Sequence, residues 1–374
     1  MKILFFSDLH LAEWEDFSYL LPNGDNSRLT DLLDILTRIS VLYQKHECDA
    51  VVFAGDLFHH SRSIMTRVYQ KAYAALEKVA ANVAHLIILA GNHDMALFQN
   101  QQATSIYPLK NLPNTTIILN ATYLVLDRKV GYGRRDQEVL LHALPFMEGT
   151  NKIKTALADI KAANGLRSVL VSHCGLTEAV IGPNEIKIEA PLSLKDLQPL
   201  KLDCALFGHY HKPQDFSGNT HIIGATAQHN MLDRGEKRGV LIYDSDTNET
   251  KRVWLKGPQF HLFELANKND LDGLKWKLPN LKDSYVRVLL KTKSIIKDQI
   301  VELLENAAVR AHQVRYAVQQ NAEVRNQALT TKLLGSGLED CMCDYVDHVA
   351  VDGLDKPKLI ETGKTLLKEY ETNL

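Results

Sequence analysis

The feature that most constrains how this chain can fold is an apolar run that stops abruptly at side chains able to bind a metal. Residues 86–89 are all Leu or Ile, Gly91 breaks the run, and Asn92, His93 and Asp94 follow at once. This pattern predicts a buried strand that ends in a loop at the carboxyl edge of a sheet, which is where open α/β folds keep their ligands.

Four further runs end in the same way. Residues 3–6, 50–54, 168–171 and 204–207 are mostly apolar, and Asp or His side chains follow each of them within a few residues. Because the carboxyl ends of parallel strands meet at one edge of a sheet, we expect the side chains from all five run ends to converge. The candidate ligands are Asp8, His10, Asp56, Asn92, His173, His209 and His211.

The spacing of apolar residues predicts an α/β fold with three parts. Helical spacing over residues 28–46 and 64–81 separates the first three runs, which gives a β-α-β-α-β order and a layered α/β domain. We assign this domain to residues 1–257. After Gly257 the strand-end pattern stops, and residues 258–325 are typical of a small α/β domain. Within it, the spacing predicts strands over 284–292 and 313–318 with a helix over 295–308 between them. Residues 326–374 predict two amphipathic helices, over 338–350 and 357–370.

Composition indicates a cellular compartment for the protein but not a class of binding partner. The 374 residues are 45% hydrophobic and carry a net charge of −2, so any surface that binds nucleic acid must be local. The five cysteines form no Cys-x-x-Cys pair, which indicates a reducing compartment. No apolar run approaches the ~18 residues of a membrane span, and the first residues lead directly into a strand. We therefore expect a soluble, cytoplasmic protein.

The candidate ligands are the donor types of a two-metal centre. Carboxylates, imidazoles and an amide oxygen, without a thiolate, suit Mn²⁺, Fe²⁺ or Zn²⁺. Seven ligands are too many for one ion but fit two ions about 3.5–4 Å apart, a pair that clamps a phosphoryl group and supplies a hydroxide for attack. Asp56 follows the middle strand of the first three, so it is our candidate for a bridging carboxylate.

Two residues beside Asn92 have separate expected roles. His93 need not bind metal, and it could hydrogen-bond a phosphate oxygen or protonate the leaving oxygen. Asp94 could hold the imidazole ring of His93 in orientation. We therefore interpret His93 and Asp94 as catalytic residues.

In this order, the five blocks resemble those of the calcineurin-like metallophosphoesterase superfamily. The matching blocks are Asp8-x-His10, Gly55-Asp56, Gly91-Asn92-His93-Asp94, His173 and Gly208-His209-x-His211. The resemblance implies a four-layer αββα sandwich with a small α/β capping domain, a dinuclear metal site and His93 as the catalytic acid. It assigns Asp8, His10, Asp56 and His211 to one ion, and Asp56, Asn92, His173 and His209 to the other.

Within the superfamily, the second block separates two groups of enzymes. Ser/Thr protein phosphatases carry Gly-Asp-x-x-Asp-Arg-Gly there, whereas this chain has Gly55-Asp56-Leu57-Phe58-His59, which is similar to SbcD-type DNA double-strand-break repair nucleases. The resemblance implies a Mn²⁺-dependent exonuclease and endonuclease that acts on double-stranded DNA ends and on single strands. It also links His59 to placement of the DNA strand.

The same resemblance implies partners for the rest of the chain. The capping domain would contact DNA, and the C-terminal helices would dock on the coiled coil of an SbcC-type ATPase. The apolar stripe of these helices could instead fold back on the capping domain. The protein would form a homodimer within a heterotetramer, in the cytoplasm of a bacterial or phage-infected cell. Arg134 and Arg135 lie at the basic tip of a predicted hairpin over 128–135, where they could contact phosphates or simply be solvated.

Two alternative functions stay open at this point. One is a small-molecule phosphodiesterase or phosphomonoesterase of the same superfamily. The other is a module that binds DNA ends or an ATPase partner and holds an idle metal site. For Cys174, which adjoins His173, and for His229 we expect structural roles, in the core and on the surface or in a hydrogen bond, respectively.

Overall fold

A computed structural model describes residues 1–98, 101–129, 135–161, 165–187, 189–317 and 355–372 of the chain. Its packing divides into two units, Met1–Tyr316 and Ala317–Leu374. The described helices are α1 (Ser27–Lys45), α2 (Thr66–Asn82), α3 (Thr150–Ala158), α4 (Leu194–Leu197), α5 (Lys268–Lys277), α6 (Lys297–Asn306) and α7 (Lys356–Thr372). Short 3₁₀ turns occupy Asn92–Asp94, Tyr107–Asn111, Gln198–Leu200, Met231–Asp233 and Leu278–Asn280.

Most strands of the first unit belong to two six-stranded sheets. In chain order the strands are β1 (Lys2–Phe6), β2 (Ala50–Phe53), β3 (Leu86–Leu89), β4 (Met95–Phe98), β5 (Gln101–Thr104), β6 (Thr115–Ile118), β7 (Thr122–Lys129), β8 (Arg135–Leu144), β9 (Arg167–Ser172), β10 (Val180–Ile181), β11 (Ile186–Lys187), β12 (Cys204–Phe207), β13 (Gln214–Phe216), β14 (Thr220–Ile222), β15 (Arg238–Asp244), β16 (Glu249–Leu255), β17 (Phe260–Leu265), β18 (Tyr285–Leu290) and β19 (Ala311–Tyr316).

Both large sheets are parallel at their centre. The first has the order β16-β15-β1-β2-β3-β6, in which β1, β2, β3 and β6 run parallel and β15 pairs antiparallel with β1. The second has the order β13-β14-β12-β9-β8-β7, and β14, β12, β9 and β8 run parallel. The carboxyl ends of the parallel strands therefore meet at one edge of each sheet, as the sequence pattern predicted.

The side chains of β1 point alternately to the two faces of the first sheet, and this alternation shows how the layers form. Ile3 and Phe5 point into the core between the two sheets, whereas Leu4 and Phe6 point outward and pack against α1 and α2. On the far side, outward residues of β9 and β12 pack against α3 and α4. Because each sheet buries one face on its partner and the other under helices, the result is an αββα sandwich. The predicted α/β sandwich is confirmed.

A smaller sheet follows the two large ones along the chain. Strands β17, β18 and β19 are parallel neighbours, and α5 and α6 connect them. The sequence pattern indicated β18, α6 and β19 but not β17 or α5. The reason is visible in α5, which is short and highly charged and fully buries only Leu274, so its apolar signal in the sequence is weak. The domain boundaries at residues 257 and 325 stay a prediction.

The small α/β domain packs on the loop after β1 and on α1. The Phe260 ring lies 5.2 Å from Phe17 and 4.9 Å from Tyr285, measured between ring centroids. The Tyr285 hydroxyl donates a hydrogen bond to Asp31 (2.9 Å), and Arg310 forms an ion pair with the same carboxylate. An apolar contact and two polar contacts thus fix this domain against the sandwich.

A buried arginine lies at this junction. Arg28 is only 3% exposed, and its guanidinium lies 4.5 Å from the Trp14 ring centroid and within 5.5 Å of those of Phe260 and Tyr285. It donates a hydrogen bond of 2.7 Å to the backbone carbonyl of His229. A buried cation needs such partners to offset its lost hydration.

Cys174 is buried in the outer core, as expected. The second predicted C-terminal helix is present as α7, whereas the first, over 338–350, lies outside the described residues. Arg134 also lies outside them, and Arg135 begins β8, so their phosphate contacts stay predictions. Within the described ranges, no helix combines the length and the apolar composition needed to cross a membrane.

Shortening a single side chain in the core between the sheets should lower the stability of the protein strongly. Leu206 on β12 is fully buried there. We expect Leu206→Ala to lower the free energy of unfolding by about 2–5 kcal/mol, because the substitution removes buried surface and leaves a cavity. Urea denaturation measures the change. Leu20→Ala is the matched control, since Leu20 is 71% exposed, and equal losses from both variants would contradict the assigned core.

Candidate metal centre

The loops after five parallel strands bring all seven predicted ligands together. Asp8 and His10 follow β1, Asp56 follows β2, and Asn92 follows β3. The second sheet contributes the remaining three ligands from the ends of β9 and β12, namely His173, His209 and His211. The centre therefore lies across the carboxyl edges of both sheets.

Close contacts divide the ligands into two groups. In one, Nε2 of His10 lies 3.1 Å from Nε2 of His211, and both imidazoles lie near the Asp8 carboxylate. In the other, the amide oxygen of Asn92 lies 3.2 Å from Nε2 of His173 and 3.1 Å from Nδ1 of His209. Each group offers nitrogen and oxygen donors to one small volume.

Asp56 lies between the two groups. Its Oδ2 is 3.7 Å from Nε2 of His10 and 3.3 Å from Nε2 of His173. A single carboxylate oxygen can thus reach toward both sets of ligands, which is the geometry expected of a bridging ligand. The arrangement agrees with the division into two ions that the sequence resemblance implied.

The carboxylate of Asp8 supplies an independent test of whether cations fit here. Asp8 is fully buried, and neither of its oxygens has a hydrogen-bond partner among the described residues. A buried carboxylate without a partner is costly unless a cation compensates it. Since Asp8 lies with His10, Asp56, His173 and His211 in clusters of possible metal ligands, two divalent ions fit this donor set.

The backbone at the ligands adopts an unusual conformation. Four ligand residues have positive φ angles, namely Asp8 (53°), His10 (48°), Asp56 (61°) and His209 (73°). Residues other than glycine rarely adopt this left-handed region, and such strain concentrates at functional sites. The strand-end loops are therefore held in a conformation that aims their side chains inward at a cost in local stability.

Two glycines leave the space that these ligands need. A Cβ atom at Gly91 would lie 2.1 Å from Oδ1 of Asp56, and one at Gly55 would lie 2.2 Å from Nδ1 of His173. Gly55 also has a φ of +100°. Any side chain at either position would displace a ligand, which explains why glycine stands directly before Asp56 and Asn92.

A hydrogen bond behind His173 and an ion-pair contact behind His211 orient these two rings. Nδ1 of His173 lies 2.6 Å from the carbonyl oxygen of Ala54, so it donates there and leaves Nε2 for a metal. Nδ1 of His211 lies 3.7 Å from Oδ1 of Asp233. These contacts hold the tautomer of each imidazole that presents Nε2 to the centre.

Two further residues belong to this environment without being among the predicted ligands. His229 is buried, its Nε2 lies 2.9 Å from the backbone carbonyl of Asp8, and its ring centroid is 5.0 Å from that of His10. Asp233 faces His211 and pairs with Arg238. Neither residue follows a predicted strand, so no local sequence signal pointed to them.

Asp94 has a different role from the one expected. Instead of contacting the His93 ring, its carboxylate accepts four backbone N–H groups, those of Asp56, Leu57, Phe58 and Gly91, at 2.9–3.2 Å. Both oxygens are used, so the expectation that Asp94 orients His93 is wrong. Its physical role is to join the loop after β2 to the loop after β3.

His93 is oriented by backbone groups instead. Its Nδ1 lies 2.6 Å from the carbonyl oxygen of His59, and its backbone N–H donates to Oδ1 of Asp56 (2.8 Å). Its ring centroid is 4.7 Å from that of His10, and His93 lines the cavity of about 140 Å³ over the ligands. With Nδ1 donating to a carbonyl, Nε2 is the nitrogen left for a substrate.

His59 also lies on the wall of this cavity. Its ring centroid is 4.2 Å from the Trp14 ring and 5.4 Å from the His10 ring. Burial, followed by the nearby His60, lowers the pKa of His59 to about 4. The ring is therefore neutral at physiological pH, so it offers a surface and a hydrogen bond but no charge to a substrate.

Burial and nearby charges shift the pKa values of the predicted histidine ligands in different directions. Burial lowers the pKa of His10 well below its usual range and that of His209 to about 4, so both rings are neutral. Burial opposes the charged form of His173 as well, but the Asp56 and Asp8 carboxylates outweigh it and raise its pKa to about 9. In the metal-free protein His173 therefore carries a proton at neutral pH.

This proton predicts how metal binding depends on pH. A metal ligand must be neutral imidazole, so Mn²⁺ has to displace the proton of His173. We expect binding to release at least one proton at pH 7.5, and the affinity to rise about tenfold per pH unit as pH approaches 9. Calorimetry in buffers of different ionisation enthalpy counts the protons released. A count of zero would show that His173 is already neutral.

The four hydrogen bonds to Asp94 predict a structural defect in a nearly isosteric variant. In Asp94→Asn, an amide NH₂ would face two of the four buried N–H donors whichever way it turned. Because each unsatisfied donor costs about 1–3 kcal/mol, we expect a clearly lower melting temperature and weaker metal binding. An unchanged melting temperature and metal content, with activity lost, would instead favour a role of Asp94 through His93.

One protein-family model matches the part of the chain that carries this site. The calcineurin-like phosphoesterase family matches residues 1–213, more than half of the chain and all seven candidate ligands. No curated protein matches. The chain is similar to the crystal structure of a dimetal phosphatase from Danio rerio, with 12% identity and a TM-score of 0.35 over 65% of this chain and 91% of that one.

It is also similar to the Pseudomonas putida nuclease MPE, with 12% identity and a TM-score of 0.23 over 50% of this chain and 66% of that one. The match over residues 1–213 decides the family. This chain therefore belongs to the calcineurin-like phosphoesterase family and is a metal-binding hydrolase of that family.

Proposed function

We propose that this protein is a DNA nuclease, an exonuclease and endonuclease that hydrolyses phosphodiester bonds with two Mn²⁺ ions. The observation that carries the proposal is the second ligand block, Gly55–Asp56–Leu57–Phe58–His59. His59 places its ring on the wall of the metal cavity and its carbonyl against His93. This block resembles that of SbcD-type nucleases and lacks the Asp-Arg pair of Ser/Thr protein phosphatases.

The seven predicted ligands would bind the two metal ions that activate the phosphate and the nucleophile. When bound, the two ions would polarise the phosphate and supply the hydroxide nucleophile. Asp8, His10, Asp56 and His211 would hold one ion, and Asp56, Asn92, His173 and His209 the other. These seven residues set where the scissile phosphate sits.

His93 would act on the substrate itself. In its protonated form, Nε2–H would donate a hydrogen bond to a phosphate oxygen and pass the proton to the departing 3′-oxygen. The His59 carbonyl and the Asp56 carboxylate fix the ring and the backbone of His93 for this task. His59 itself would contact the DNA strand next to the scissile bond.

Manganese is our choice of metal for chemical reasons. The donor set mixes imidazoles with carboxylates and one amide, and it contains no cysteine, which would favour zinc. The same donors accept Fe²⁺ and Zn²⁺, so the metal is decided by comparing activity and occupancy across these ions.

The remaining parts of the chain fit the same proposal. The small α/β domain, fixed on the sandwich through Asp31 and Phe17, would contact DNA beyond the metal centre. Helix α7 would dock on the coiled coil of an SbcC-type ATPase, with the protein acting as a homodimer within a DNA repair and recombination complex. Copurification with such an ATPase tests the partner separately from the chemistry.

The first experiment compares wild type with His93→Ala and Asp56→Ala on linear double-stranded DNA with Mn²⁺. We expect wild type to degrade the DNA and both variants to lose cleavage. Metal content should separate the variants, because His93→Ala removes no predicted ligand whereas Asp56→Ala removes the bridge. Loss of metal from His93→Ala would show that His93 is a ligand.

Controls distinguish the proposal from its two alternatives. Hydrolysis of p-nitrophenyl phosphate or a cyclic nucleotide without any action on DNA would favour a small-molecule phosphoesterase. Full metal loading without hydrolysis of any substrate, alone or with an SbcC-type ATPase and ATP, would favour a binding module with an idle metal site.

A further inference from the structure

A second cavity opens directly beside the metal centre. It has a volume of about 450 Å³, compared with about 140 Å³ over the ligands themselves. Asn92, one of the predicted metal ligands, lines both cavities. The volume of the second cavity is typical of a ligand-binding pocket. A substrate held at the metal centre could therefore continue into this second cavity, which we call the side cleft.

The side cleft has cationic walls. Arg62 and Lys152 line it and are exposed, and neither forms an ion pair with another residue in the described part of the chain. Glu148 is the acidic residue among the lining side chains. Two uncommitted cations near a phosphate-binding centre suit a further phosphate of the same substrate.

Part of the lining of the side cleft, which we call its floor, is apolar and includes an aromatic ring. Phe146, Met147 and Leu119 lie there, each half-buried. Apolar side chains offer nothing to a phosphate or to inorganic ions, but an aromatic ring stacks with a nucleobase whatever its identity. Cations along a wall and an aromatic floor together form the chemistry that binds single-stranded nucleic acid.

This floor is rigidly connected to the metal ligands. The backbone N–H of Phe146 donates to the carbonyl of Ala90, and the N–H of Ala90 donates to the carbonyl of Ile118. Ala90 lies two residues before Asn92. The cleft is therefore built from strand ends of the same edge that carries the ligands, so its distance from the scissile phosphate is fixed.

From these observations we infer that the side cleft is a nucleotide subsite. It would bind the single-stranded segment on one side of the scissile bond, with Arg62 and Lys152 on a phosphate and Phe146 under a base. The inference rests on the proposed nuclease function and names its substrate class more closely. A small phosphoester would fill only the cavity over the metals, whereas an oligonucleotide would use both.

Kinetics on two substrates distinguish an effect on the subsite from an effect on the metal centre. Bis(p-nitrophenyl) phosphate needs only the metal centre, and decathymidylate reaches into the side cleft. With Mn²⁺, we expect the double variant Arg62→Ala/Lys152→Ala to lose at least about tenfold more kcat/KM on decathymidylate than on the small diester. Phe146→Leu, which keeps an apolar floor without a stacking ring, should show the same preference, and Lys195→Ala on α4 is the matched surface control.

Salt and chain length provide further readouts. If Arg62 and Lys152 contact a phosphate, the double variant should bind a phosphorothioate decathymidylate with a shallower dependence on salt than wild type. Wild type should also prefer decathymidylate to dithymidylate, and the double variant should lose this preference.

The outcomes separate failure of the subsite from failure of the proposed function. Wild type that hydrolyses the small diester but no oligonucleotide would overturn the nuclease proposal and the subsite with it. Wild type that cleaves decathymidylate, with variants that match it on both substrates or lose both equally, would overturn the subsite alone. A variant loss confined to decathymidylate, with an unchanged melting temperature, would support the inference.

Discussion

The centre depends on one buried carboxylate that binds no substrate and, in our assignment, no metal. Asp94 accepts four backbone N–H groups and thereby ties the loop after β2 to the loop after β3. These loops carry Asp56, Asn92 and His93, which are the proposed bridge, a ligand of the second ion and the proposed acid. Burial and the nearby Asp56 carboxylate raise the pKa of Asp94 to about 7, and the backbone N–H groups oppose that rise. One acidic side chain thus holds three functional residues in register.

The sequence was most informative where chemistry coincides with strand ends. Five apolar runs that stop at Asp, Asn or His predicted both the parallel strands and the convergence of their ligands, since the carboxyl ends of such strands must meet. The sequence was uninformative about contacts between distant loops. His229 and Asp233 lie near His10 and His211 only because the chain returns to the centre after β14, and no periodicity marks that return.

The error over Asp94 has a similar cause. Adjacent position in the sequence suggested a contact with His93, but in a tight 3₁₀ turn neighbouring side chains point in different directions. The carboxylate turned back toward the backbone of the preceding loop, and a carbonyl from residue 59 took its place at the imidazole. Sequence alone shows which groups are available, whereas competition between backbone donors and side chains decides which of them meet.

The two sheets contribute unequal shares of the donor set, and this division has a mechanical consequence. Four proposed ligands come from the first sheet and three from the second, while the core between the sheets is built from buried apolar side chains. Each bound ion would therefore span the sandwich and act as a removable cross-link between its halves. Since a ligand that binds only the native state stabilises that state, metal supply would set the stability of the fold as well as its chemistry.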